Sequence, residues 1–103
     1  MAHPILPPVH PGRILREEYL EPLSMSAGEL AKALHVPRTR IERLIGEKTA
    51  LTPDTALRLA IFFKTTPEFW MNLQTGYALK LEGAAKKAEL SRLSSLENSA
   101  VAA

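Results

Sequence analysis

Proline placement limits what this chain can build. Pro11, Pro37, Pro53 and Pro67 each stand where a helix begins, since a residue without an amide hydrogen is tolerated in the first helical turn, where that hydrogen would have no intrahelical partner. Between them apolar residues recur at three- and four-residue intervals, and no stretch alternates apolar and polar residues as a half-buried strand would. The expected fold class is all-α, with five helices. With 103 residues, 46% of them hydrophobic, the chain suits one small core and is too apolar for a disordered tail.

The first ten residues carry Pro4, Pro7 and Pro8 and are expected to form an extended arm. Helix one starts at Pro11, shows Ile14, Leu15 and Tyr19 on its apolar side, and is expected to end at Pro22. Ser26-Ala27-Gly28-Glu29 has capping-box spacing, so helix two runs from Ser26 to about Leu34, burying Leu30, Ala31 and Leu34. His35-Val36-Pro37 forces a tight turn, and helix three follows from about Pro37 to Ile45, closed by Gly46. Thr52-Pro53-Asp54 starts helix four, whose body is apolar nearly all round and is therefore expected to be the most buried element. Thr66-Pro67-Glu68 starts helix five, with a stripe of Phe69, Trp70, Leu73, Tyr77 and Leu81. The expected division is an arm at 1–10, a helical domain at 11–82 and a frayed or weakly helical tail at 83–103.

The residue inventory excludes several chemistries. There is no Cys, hence no disulfide, thiolate metal site or cysteine nucleophile. His3, His10 and His35 lack metal-ligand spacing, Glu17 and Glu18 cannot face each other as a catalytic pair, and no serine sits in a nucleophile motif. The reading is not an enzyme, with no cofactor and no metal. No apolar run approaches a membrane span and no signal peptide is apparent, so a cytoplasmic protein without membrane contact is expected.

The formal charge of +2 says little until it is divided along the chain. Residues 1–36 carry −1, residues 37–64 carry +3 and residues 65–103 carry 0. On a helical wheel for helix three, Ile41, Leu44 and Ile45 cluster inward while Thr39 and Arg43 point outward, flanked by Arg40 on one side and Glu42 on the other. Two short helices joined by a tight turn, with small Ala31 at their crossing and a cationic outward face on the second, meet the requirements of a helix-turn-helix DNA reader. Arginine can bond two acceptors on guanine, and threonine can meet a base edge or a thymine methyl. Arg38, Thr39, Arg40 and Arg43 are the candidate groove residues, with Ser26, Lys48 and Thr49 placed to meet phosphates.

The strings HPGRILREEYLEPL, SAGELAKALHVPRTRIERLIGEK, LTPDTALRLAIFF and TTPEFWMNLQTGYAL resemble, in order and from about His10 to Glu82, the HigA/VapI family of antitoxins, a branch of the Xre/lambda-repressor-like helix-turn-helix proteins. The resemblance implies a five-helix lambda-repressor-like domain, a homodimer, a palindromic operator in double-stranded DNA near the protein's own promoter, and neutralisation of a HigB-type toxin that cleaves mRNA. Two departures stand out. His35 replaces the usual turn glycine and is expected to be strained, and Gly46-Glu47-Lys48 replaces leucine-glycine-lysine, shifting the flexible point by one residue.

Trp70 suits two roles, packing helix five on helix four and, with Phe69, Leu73 and Tyr77, lining a dimer seam. Two functions compete with an autorepressing antitoxin: an orphan repressor without a toxin, and a toxin-binding module with little DNA binding.

Overall fold

Side-chain caps at His10, Ser26, Thr52 and Thr66 open four helices of the computed structural model, which describes residues 7–98, and every regular element among them is helical. The proline-rich arm expected at residues 1–10 falls mostly outside that range, as does the tail beyond residue 98. At residues 7–10 the chain is irregular and ends at His10, whose Nδ1 accepts the Gly12 amide at 2.9 Å and caps the first helix. Helix α1, residues 11–23, joins an α-helical turn Pro11–Ile14, a π-helical stretch Leu15–Leu20 and a last turn Glu21–Leu23. Helix α1 does not stop at Pro22 as expected. The π stretch widens the hydrogen-bond register immediately before it, with Glu21 N–H donating to Arg16 O, and the ring is carried as the second residue of the final turn.

Helix α2, Ala27–Leu34, has the full capping box: Ser26 Oγ accepts the Glu29 amide at 3.1 Å, and the Ser26 amide donates to Glu29 Oε1 at 2.9 Å. These contacts hold the exposed Glu29 carboxyl below its usual range, the Ser26 amide contributing most. Helix α3, Arg38–Ile45, follows a turn in which Pro37 is the N-cap. Helix α4, Pro53–Phe63, and helix α5, Pro67–Ala85, start on Thr52 and Thr66, which cap through their hydroxyls as expected. Helix α5 runs straight through Gly83, because Leu81, Glu82, Ala84 and Ala85 are strong helix formers that offset one glycine. A single turn α6, Lys87–Leu90, and a 3-10 turn Leu96–Asn98 complete the described chain.

Helix ends in this protein use left-handed residues that are not glycine: Ser24, His35, Glu47 and Lys64. After α3 the Glu47 amide bonds Leu44 O and the Lys48 amide bonds Arg43 O, the paired pattern of a Schellman turn. That pattern puts the left-handed position at Glu47, while Gly46, expected to be the flexible point, has an ordinary φ of −82°. Around His35 the same pairs recur, His35 N–H to Lys32 O and Val36 N–H to Ala31 O, and Val36 packs on the core.

The core joins Leu15 and Leu20 of α1, Leu30, Ala31 and Leu34 of α2, Ile41 and Leu44 of α3, Leu51, Ala56, Leu59 and Ala60 of the α4 region and Trp70 of α5. Gly12 is required here. A Cβ on it would stand 1.7 Å from Leu44 O, so only glycine lets the start of α1 touch the end of α3. Arg16 adds a second tie, donating from Nη1 to Ile45 O and lying 3.5 Å from the Glu47 carboxylate.

Helix α4, expected to be the most buried element, buries one side only and no more residues than α1: Thr55, Ala56, Leu59 and Ala60 face the core, while Leu57 is 54% and Ile61 81% exposed. A domain of this size has too little chain to cover both sides of a helix. Among the described residues no helix is long and apolar enough to cross a membrane.

Candidate nucleic-acid interface

Packing between α2 and α3 decides which side chains of α3 face outward. Leu30, Ala31 and Leu34 meet Ile41 and Leu44, and the methyl of Ala31, almost wholly buried, permits the close crossing. Arg38, Thr39, Arg40, Glu42 and Arg43 are consequently all exposed. Thr39 and Arg43 occupy the outward centre that the helical wheel gave them.

The arginines differ in their surroundings. Arg38 donates from Nε to Glu42 Oε2 at 3.1 Å, one turn along α3, and its stem lies beside Gly28 in the first turn of α2. Arg40 lies on the flank nearest α4 and donates from Nη1 to Asp54 Oδ2 at 2.5 Å. Among the described residues Arg43 has no carboxylate within ion-pair distance. An unpaired, exposed guanidinium beside a threonine on a helix that fits a major groove is suited to base edges, since arginine offers a fork of donors and loses no protein partner on binding.

Of the phosphate candidates, Ser26 uses its oxygen as the cap acceptor and keeps its hydroxyl proton free to donate. The amides of Ala27 and Gly28 remain at the open end of α2, with Arg38 beside them. Lys48 and Thr49 are exposed in the α3–α4 loop, at the rim of a shallow cavity of about 200 Å³ that also touches His10, Gln74 and Tyr77.

The four aromatic and aliphatic residues expected at a dimer seam do not share one environment. Trp70 is fully buried, donates from Nε1 to Thr65 Oγ1 at 2.8 Å, and packs against Tyr19 and Phe69. Its ring is spent on the core of one protomer, so Trp70 offers no surface to a second copy. Phe69 is 38% exposed, whereas Leu73 is half-buried against the core and half-buried Tyr77 stands edge-on to His10 at 4.9 Å.

Three contributors were not singled out from sequence: His10 as a cap, Arg16 as the tie to α3, and Asp54 as the partner of Arg40. A local signal existed only for His10, in its position immediately before Pro11-Gly12. The other two act across 29 and 14 residues of sequence.

Two helices, a left-handed turn, a tight crossing and an outward polar face define a helix-turn-helix module. A family model described as Helix-turn-helix matches residues 17–70. Virulence-associated protein I of Dichelobacter nodosus is 51% identical over 76 residues, a match covering 74% of this chain and 70% of that protein. Among solved structures, Pseudomonas aeruginosa antitoxin HigA with higBA promoter is similar with a TM-score of 0.81 and 36% identity, covering 84% of this chain and 96% of that one. An addiction module antidote protein of a HigA family from Coxiella burnetii gives a TM-score of 0.82 and 42% identity, covering 87% and 98%. The chain belongs to the helix-turn-helix family, in its HigA/VapI antitoxin branch, and that family is not enzymatic.

Proposed function

We propose that this protein is an antitoxin that binds as a homodimer to a palindromic operator, represses its own operon and neutralises a HigB-type mRNA-cleaving toxin. The observation that carries the DNA half of this reading is the exposed Thr39–Arg43 face of α3, with Arg43 free of a carboxylate partner among the described residues. Residues 11–82 act as the DNA-binding unit, in which Thr39 and Arg43 read bases, Arg38 and Arg40 flank them, and Ser26, Lys48 and Thr49 meet phosphates. Support comes from solved relatives described with DNA: one HigA with the higBA promoter, and the antitoxin GraA in complex with its operator.

The dimer half rests on α5. Its apolar stripe begins buried at Trp70 and passes through Leu73 and Tyr77 to Leu81, which lies beyond the core and is exposed. A second copy laid along this overhang would bury Leu81 and set two recognition helices about 34 Å apart, one helical turn of DNA.

Binding to the DNA immediately upstream of the gene, measured at two salt concentrations against a mixed-sequence duplex, tests the DNA reading. A sequence preference with a steep salt slope is expected, and equal binding to both duplexes contradicts it. Co-expression with a HigB-type toxin tests the toxin reading: a stable complex and rescued growth are expected, and neither appears if the protein is an orphan repressor.

A further inference from the structure

Arg40 is part of a chain of contacts that runs beyond the face of α3. The oxygen of Asp54 that accepts from Arg40 also accepts from Arg58 Nε at 3.1 Å, and Arg58 Nη1 in turn donates to Leu34 O at 2.8 Å, at the last residue of α2. Groups from α2, α3 and α4 are thereby linked at the edge of the candidate interface. Both arginines hold the Asp54 carboxyl below its usual range, Arg40 contributing more, so the acid is ionised at neutral pH. An ion pair this exposed adds little to fold stability. Its larger consequence is electrostatic: two guanidiniums and one carboxylate leave a single net positive charge where the arginines alone would place two.

We propose that Asp54 is a specificity-determining positioning residue, which fixes the Arg40 guanidinium beside the recognition face and cancels one positive charge there. This inference rests on the DNA reading above. Affinity for arbitrary duplex DNA is set by the number of phosphates that cations neutralise, each contributing about 0.9 to the slope of log affinity against log salt. An Arg40 released from Asp54 reaches any nearby phosphate, whatever the sequence. An Arg40 held by Asp54 keeps one orientation, so only a duplex whose groups fit that orientation gains from it. Sequence-independent binding is thus suppressed more than operator binding.

The test uses the full chain and two probes: a mixed-sequence duplex, and the duplex that the wild-type protein enriches from a randomised library. At about 0.1 M salt, Asp54→Asn is expected to bind the mixed duplex roughly five- to tenfold tighter, with a slope steeper by about 0.9. The enriched duplex gains less, so the ratio of the two affinities falls roughly threefold or more. Asp54→Ser, likewise uncharged, should reproduce both changes, and adding Arg40→Ala to Asp54→Asn should return the slope towards wild type. An unchanged slope on the mixed duplex, or equal gains on both probes, overturns the proposal. A wild-type protein that enriches no sequence overturns it together with the DNA reading, whereas a clear enriched sequence with Asp54→Asn unmoved overturns the proposal alone.

Discussion

The outward face of α3 and the outward faces of α4 and α5 are finished in opposite ways. On α3 every apolar residue turns inward, and what remains outside is Arg38, Thr39, Arg40, Glu42 and Arg43. On α4 and the far half of α5, Leu57, Ile61, Leu79 and Leu81 stay in solvent. The first surface is stable in water as it stands and complements a polyanion; the second complements another protein surface. On the proposed function the first surface meets DNA and the second a protein partner, and beneath the second Trp70 packs α5 against Tyr19 of α1 and Phe63 of α4.

Removing that junction should have the largest effect. Trp70→Ala deletes a fully buried ring together with its hydrogen bond to Thr65, and we expect a loss of about 3–5 kcal/mol in urea unfolding. DNA binding and self-association should fail together; survival of either would show that the two surfaces are independent. Next in size are changes confined to the apolar surface. Leu81→Asp should raise the dimer dissociation constant by at least roughly tenfold, equivalent to about 1.4 kcal/mol or more, whereas Leu79→Asp, on the opposite side of α5, should leave it unchanged. Analytical ultracentrifugation measures this, while the thermal midpoint of the monomer should move little, since Leu81 lies beyond the core. A dimer unchanged by Leu81→Asp would move the protein-binding surface to Leu57 and Ile61 of α4.

Smaller effects probe the turns that set each surface in place. Lys64→Gly and His35→Gly each relieve a left-handed non-glycine residue, and each should stabilise the protein by about 0.5–1 kcal/mol in thermal unfolding. His35→Gly should do so without altering DNA affinity, because the turn keeps its geometry. The smallest effect is expected in acid. Glu29 and Asp54 titrate below their usual range in the folded protein, so their contributions are fully present above the unfolded-state values, near 4, and fade as the pH falls through the lower folded-state values. Stability should therefore drop on acidification, and Glu29→Gln should flatten that drop; an identical acid limb would show that the capping box contributes nothing there.

What the sequence disclosed and what it withheld divide by distance along the chain. Caps at Ser26, Thr52 and Thr66, the turn at His35 and the inward and outward sides of α3 all depend on partners within a few residues, and each was readable. The π-helical register before Pro22 carries no local sequence signal, and it was not. Apolar composition misled at α4, because the pattern records which residues avoid water and not how much protein is available to cover them. In the same way, Asp54 read as an ordinary first-turn acid until α3 and α4 were brought together and placed Arg40 beside it. The candidate groove face could be located from periodicity, but the division of its arginines into paired and unpaired could not.

The most direct test of the central claim compares the sequences that wild type and Arg43→Ala enrich from the same randomised library. Wild type should enrich a two-fold-symmetric site with half-sites about one helical turn apart. Arg43→Ala should lose preference at one base pair in each half-site and bind the wild-type site weaker by about 1–3 kcal/mol per half-site. The same site, enriched as strongly and bound as tightly by both proteins, would contradict the account.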